Sequence, residues 1–164
     1  MSYKWLQHRR KSYDYNSKIY LAEVILNVKD LAGQTETAFY TQIVGLGILT
    51  KTEREVVLGA VNKPLVHLIQ TNREEAVKSS YGIYHMAILL PSCEDLADVF
   101  KHIADLDYPF VGAADHGYSE ALYLEDLEGN GIELYRDKPV AEWDIREDDR
   151  IVDVTEELSA QEIY

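Results

Sequence analysis

The sequence predicts an α+β fold in which two βαβββ modules pair their sheets into an open eight-stranded cup. Three observations predict it. A pattern of one strand, one helix and three short strands runs through residues 19–70 and starts again over residues 82–138. The first strand of each run is apolar on both faces apart from one ionisable residue, Glu23 or His85. The last strand of each run carries another, His67 or Glu133, so four ionisable side chains stand at matching places in a duplicated architecture.

The elements follow from their residues. Ile19 to Val28 is apolar at both strand parities, the mark of a strand covered on both sides. Asp30 is placed to cap a helix from about Leu31 to Val44, with Leu31, Ala38, Phe39 and Ile43 as its apolar stripe and Gly45 as its stop. Three strands are expected at Ile48 to Thr52, Glu55 to Leu58 and Leu65 to Ile69, with Asn62-Lys63-Pro64 as the turn before the last. Leu65, His67 and Ile69 share a face. Polar residues Thr71 to Ser80 form a linker.

The second run opens with Gly82 to Leu90, again apolar on both faces, and Pro91-Ser92 leads into a helix from about Cys93 to Leu106. Leu96, Val99, Phe100 and Ile103 form that helix's stripe. Strands near Phe110 to Ala113, Ala121 to Glu125 and Ile132 to Tyr135 complete the module. The last two make a hairpin around the glycine-rich turn Leu127 to Gly131. Gly131, Glu133 and Tyr135 then share one face, with Ile132 and Leu134 on the other.

Composition excludes several functions. At 164 residues and 46% hydrophobic, the chain has length for a real core. Sixteen basic against 29 acidic side chains give a net charge of −13, which argues against non-specific binding to nucleic acid or to anionic membranes. No apolar run approaches a membrane span, and the amino terminus lacks a signal-peptide core. Cys93 is the only cysteine, so no internal disulfide forms, which fits a reducing cytoplasm. Residues 1–18 read as a polar, tyrosine-rich arm and residues 139–164 as an acidic tail anchored by Trp143 and Ile145, with Asp144 to Asp149 solvated.

A lone core histidine is usually satisfied by a backbone carbonyl, and a lone strand glutamate usually sits at an edge. Taken singly, each of Glu23, His67, His85 and Glu133 fits that bland account. At equivalent positions in two modules, two carboxylates and two imidazoles pointing into one mouth favour a divalent metal site. The apolar setting of Glu23, between Leu21-Ala22 and Val24-Ile25-Leu26, demands neutralisation by a cation or by His85 or His67.

His116, Leu122, Tyr123, Asp126, Gly129 and Glu133 fall in register with a longer signature. That signature is a histidine, a spacer, an apolar residue and tyrosine, then an acidic-Pro-x-Gly segment ending at glutamate. With the paired βαβββ plan, it resembles the vicinal oxygen chelate superfamily over roughly residues 21–138. Glyoxalase I, type I extradiol dioxygenases and the bleomycin and fosfomycin resistance proteins are members, and the signature is most like that of catechol 2,3-dioxygenase-like proteins. Ala114 and Leu127 depart from it, Leu127 standing where proline is usual.

The resemblance implies the glyoxalase/extradiol dioxygenase fold across residues 19–138 and a metal held by Glu23, His85 and Glu133. Fe2+ is favoured, with Mn2+, Zn2+ or Ni2+ as alternatives. Glu23 stands where the extradiol pattern has histidine. His67 resembles the acid/base histidine, at a position that supplies a glutamate ligand in glyoxalase I, and Tyr123 resembles the tyrosine that hydrogen-bonds substrate. His116 fills the outer histidine position, a surface loop histidine being the bland alternative. The implied substrate is a small molecule with adjacent oxygens, the implied reaction extradiol cleavage of a catechol-type ring, and the expected protein a cytoplasmic homodimer. A glyoxalase-like isomerase or lyase with a redox-inert metal, and a non-catalytic binding protein of the resistance type, are the alternatives. The tail resembles the segment after the first domain of longer, four-module relatives, and is expected to wrap the domain or a partner.

Overall fold

The computed structural model describes residues 21–31, 36–72, 82–158 and 163. The amino-terminal arm, the start of the first strand, the helix cap region at 32–35 and most of the linker lie outside the described residues. The first module runs β1 (Val24–Val28), α1 (Glu36–Ala38) continued by a π-helical turn (Phe39–Ile43), β2 (Gly47–Lys51), β3 (Glu55–Ala60) and β4 (Lys63–Gln70). The second runs β5 (His85–Leu89), α2 (Cys93–Asp105), β6 (Gly112–Asp115), β7 (Ser119–Glu125) and β8 (Gly131–Asp137). The tail adds a short 3-10 turn (Val140–Glu142) and β9 (Glu156–Glu157).

The two sheets repeat one topology. The order is β1-β4-β3-β2 in the first and β5-β8-β7-β6-β9 in the second. In each, the first strand lies parallel to the last and the other pairs are antiparallel. The expected duplication is therefore present, and the tail contributes a ninth strand that sequence patterning did not show. Glu156 and Glu157 pair with Asp115 and Ala114.

Local corrections have simple causes. The turn between β3 and β4 is Val61-Asn62, both with positive φ (49° and 63°), the two-residue geometry that matches strand twist. Lys63 and Pro64 consequently belong to β4, with a bulge opposite at Leu58/Gly59. The first helix, expected as regular α, widens into the π turn, where Val44 N donates to Phe39 O at 3.2 Å. Gly45 stops it as expected, at φ 85°. β6 begins at Gly112, two residues after Phe110. Ser92 caps α2 by accepting from Asp95 N at 3.1 Å.

Both helices lie on one side of their sheets, where a single core forms. Val28, Val56, Leu58, Val66 and Leu68 of the first sheet join Met86, Leu122, Leu124, Ile132 and Leu134 of the second, with Phe39, Tyr40, Leu96 and Ile103 from the helical segments. The His102 ring donates to Gln42 O at 2.7 Å, tying helix to helix. Among the described residues the opposite faces carry no helical layer, so there the expectation that β1 and β5 are covered on both sides is not met. Ile25 is 56% exposed and Leu89 54%. Trp143 anchors the tail as expected, its Nε1 donating to Lys138 O at 2.8 Å, whereas Ile145 only bridges Ile151. Asp144 to Asp149 are solvated apart from the half-buried Ile145.

Candidate functional site

The open face of the second sheet gathers four of the six residues singled out in the sequence. Parallel pairing sets His85 beside Gly131 and Ala87 beside Glu133, so the His85 and Glu133 side chains emerge diagonally on the same face. Antiparallel pairing puts Tyr123 directly opposite Glu133. Glycine is required at 131, because a Cβ there would stand 2.5 Å from Tyr84 O and 3.1 Å from His85 Cβ. A side chain at 131 would push His85 away from the site.

The side chains form a continuous chain of contacts. His85 Nε2 lies 2.8 Å from Glu133 Oε2. The Tyr123 hydroxyl lies 3.2 Å from Glu133 Oε1 and 2.8 Å from His116 Nε2. His116 Nδ1 lies 3.0 Å from Val154 O in the tail. Burial, and after it the Glu133 carboxylate, push the Tyr123 phenol above its usual pKa, so it stays protonated. A cavity of about 560 Å3 opens here, lined among others by Tyr84, His85, Val111, His116, Tyr123 and Thr155.

The remaining two residues stand elsewhere. His67 on β4 lies between Ile25 of β1 and Val57 of β3, on the open face of the first sheet. Its Nε2 is buried without a hydrogen bond, 3.7 Å from Glu55 Oε2. Glu23, just before β1, is half-buried and bonds neither His85 nor His67. Among the described residues no three His, Cys, Asp or Glu side chains gather closely enough to hold an ion.

Some participants had no signal in the sequence. Val154 and Thr155 reach the site only because two glutamates extend the sheet edge. The acidic residue of the turn motif also has a structural task. Asp126 Oδ1 accepts from Glu128 N at 3.1 Å and Asn130 N at 2.7 Å, closing the β7–β8 turn around Gly129 at φ 83°. Beside it, the buried Glu36 carboxyl faces the backbone amides of Leu127 and Glu128 without a well-formed hydrogen bond. Its pKa is raised to about 8 by burial and then by Asp126 and Glu128.

Two βαβββ modules, each with its first strand parallel to its last, define the fold class. Within that class, a family profile described as the Glyoxalase/Bleomycin resistance protein/Dioxygenase superfamily matches residues 20–134, and the chain belongs to this superfamily. It is 38% identical over 108 residues to a catechol-2,3-dioxygenase of Bacillus subtilis (strain 168), a match covering 64% of this chain and 38% of that protein. The chain thus spans well under half the length of this relative. Solved structures share the fold. A lactoylglutathione lyase from Agrobacterium tumefaciens aligns with TM-score 0.56 at 20% identity, over 71% of this chain and 92% of that one. A variant of the fosfomycin resistance protein FosX from Listeria monocytogenes, complexed with Mn(II) and 1S,2S-dihydroxypropylphosphonic acid, aligns with TM-score 0.53 at 18% identity, over 70% and 87%. No helix among the described residues is long and apolar enough to cross a membrane.

Proposed function

We propose that the protein is a cytoplasmic metal-dependent enzyme that cleaves a catechol-type ring in the extradiol manner. The observation that carries this reading is the His85 Nε2–Glu133 Oε2 approach of 2.8 Å at the cavity. One imidazole nitrogen and one carboxylate suit a first-row divalent ion, with iron(II) first and Mn2+, Zn2+ or Ni2+ behind it. The buried, unbonded Nε2 of His67 fits the same use, as a donor left for a ligand or a proton.

In this reading His85 and Glu133 of one copy would hold the ion together with Glu23 of a second copy, which would also bring His67. The open, partly apolar sheet faces at Ile25 and Leu89 support such a homodimer. Bound there, the ion would supply Lewis-acid polarisation of two adjacent substrate oxygens and redox chemistry with dioxygen. The chain's own groups do the rest. Tyr123, held protonated, presents its hydroxyl oxygen to the substrate as a hydrogen-bond partner. His67 takes and returns the substrate hydroxyl proton at Nε2. His116 orients the phenol.

Glu23 favours a second reading, because two carboxylates in the set suit a redox-inert ion and a glyoxalase-like isomerisation or elimination. Anaerobic purification, metal analysis and oxygen uptake with catechols decide between them. Stoichiometric iron with catechol-dependent oxygen uptake is expected. A zinc, nickel or manganese protein without uptake establishes the second reading, and a protein that binds aromatic ligands without metal overturns both.

A further inference from the structure

The tail reaches into the candidate site through one carbonyl. Val154 O lies 3.0 Å from His116 Nδ1, and Val154 N donates back to His116 O at 3.4 Å. Thr155, next along, lines the cavity. A carbonyl oxygen only accepts, so Nδ1 carries a proton whatever the charge on the ring. In the neutral ring Nε2 is then an acceptor, and the group facing it at 2.8 Å is the Tyr123 hydroxyl. That hydroxyl has one proton and two acceptors, His116 Nε2 at 2.8 Å and Glu133 Oε1 at 3.2 Å.

We infer that Val154 is a positioning residue whose carbonyl fixes the His116 tautomer, draws the Tyr123 proton toward His116 and leaves Glu133 Oε1 free for a ligand. The functional half of this statement rests on the proposed role of Glu133. Withdrawing the carbonyl lets the ring proton move to Nε2. The imidazole then donates to the phenol oxygen, and the phenol proton turns to Glu133 and occupies it. The same three side chains run in the opposite direction.

The fold is built to hold that carbonyl in place. β9 pairs with β6 at Ala114 and Asp115, and Leu158, itself buried, donates from N to Ala113 O at 3.2 Å. Gly117, at φ 80°, leaves room for the tail, since a Cβ there would stand 3.3 Å from Val154 Cγ2. Asp153 Oδ1 also approaches Nδ1, but at 3.6 Å and largely exposed it lies beyond hydrogen-bond reach.

The test is the tautomer itself, read on the full chain with 15N-labelled histidine by two-bond proton–nitrogen correlation, the His116 signals being assigned from their loss in His116→Gln. Wild type is expected to show Nδ1–H. Leu158→Asp, which detaches the tail, is expected to shift the ring toward Nε2–H, while Leu158→Met and Asp153→Asn keep the wild-type pattern. If Leu158→Asp does not fold, Glu156→Pro breaks the two-residue ladder and is read the same way. Retention of Nδ1–H in a variant whose tail amides have lost protection overturns the proposal, and so does an Nε2–H wild type. Titration with Mn2+ alone separates the two layers. Affinity about tenfold weaker in the detached variant supports the consequence for Glu133. A wild-type protein that binds no Mn2+ overturns the proposed ligand role of Glu133, and the spectra then decide the positioning role by themselves.

Discussion

The Tyr40 hydroxyl donates to Asp126 Oδ2 at 3.1 Å, joining the first module's helical segment to the β7–β8 turn of the second across a buried interface. Asn130 Nδ2 donates to the same oxygen at 2.8 Å. Tyr40 is fully buried, so its hydroxyl has no water to turn to. Tyr40→Phe is expected to cost about 1.5–3 kcal/mol, as for a buried bond to a charged acceptor. Urea unfolding followed by fluorescence measures this, and an unchanged midpoint would show that the bond does not hold the modules together.

Glu36 sets a pH dependence of stability. Its carboxyl titrates near 4.5 when unfolded and near about 8 in the fold, so between those values the folded state binds the extra proton. Its stabilising effect is complete below about pH 4.5 and is lost as pH rises toward 8, with a slope of up to about 1.4 kcal/mol per pH unit. Glu36→Gln should remove this slope and be the more stable protein at pH 8. Thermal melts of both proteins from pH 5 to 9 provide the comparison, and parallel curves would place the Glu36 carboxyl in water.

His85→Ala and Glu133→Ala should each lower Mn2+ or Fe2+ affinity by at least about tenfold, since each removes one of two adjacent donors. The fold should persist, because both side chains lie on the open face and not in the core. Calorimetric titration with unaltered circular dichroism is the expected pair of results. Full affinity in Glu133→Ala would remove it from the ligand set.

A site shared between two copies, as proposed, predicts complementation. His67→Ala and His85→Ala should each be inactive alone. Unfolded together and refolded, they should recover roughly a quarter of wild-type activity, because half the dimers are mixed and each mixed dimer has one intact site. A mixture that stays inactive would place both halves of each site within one chain. His67→Ala should keep its metal while losing turnover by ~10²–10⁴-fold if His67 moves a proton, and should lose the metal if it is a ligand.

Much of this was legible because strand periodicity is local. Met86, Ile132 and Leu134 face the core while His85 and Glu133 face away, as alternation requires. The hairpin from Tyr123 to Glu133 is likewise written in its turn residues. What sequence concealed depends on distant chain. The apolar parity of Ile25 and Leu89 reads as burial, yet both lie on the sheet face away from the helices and are more than half exposed. Glu36 gave no sign of burial, because its burial is imposed by a turn ninety residues away. The approach of Val154 to His116 depends on a two-residue strand too short to leave a pattern.

That short strand has a further effect. β9 ends the second sheet with two glutamates, both exposed. Sheet edges invite further strands and, beyond them, ordered aggregates, and two adjacent negative charges on a strand of minimal length are a poor template for either. The edge beside the candidate site is therefore guarded by charge and brevity together. The broad face of each sheet is the contrasting surface, with Ile25 and Leu89 open to solvent.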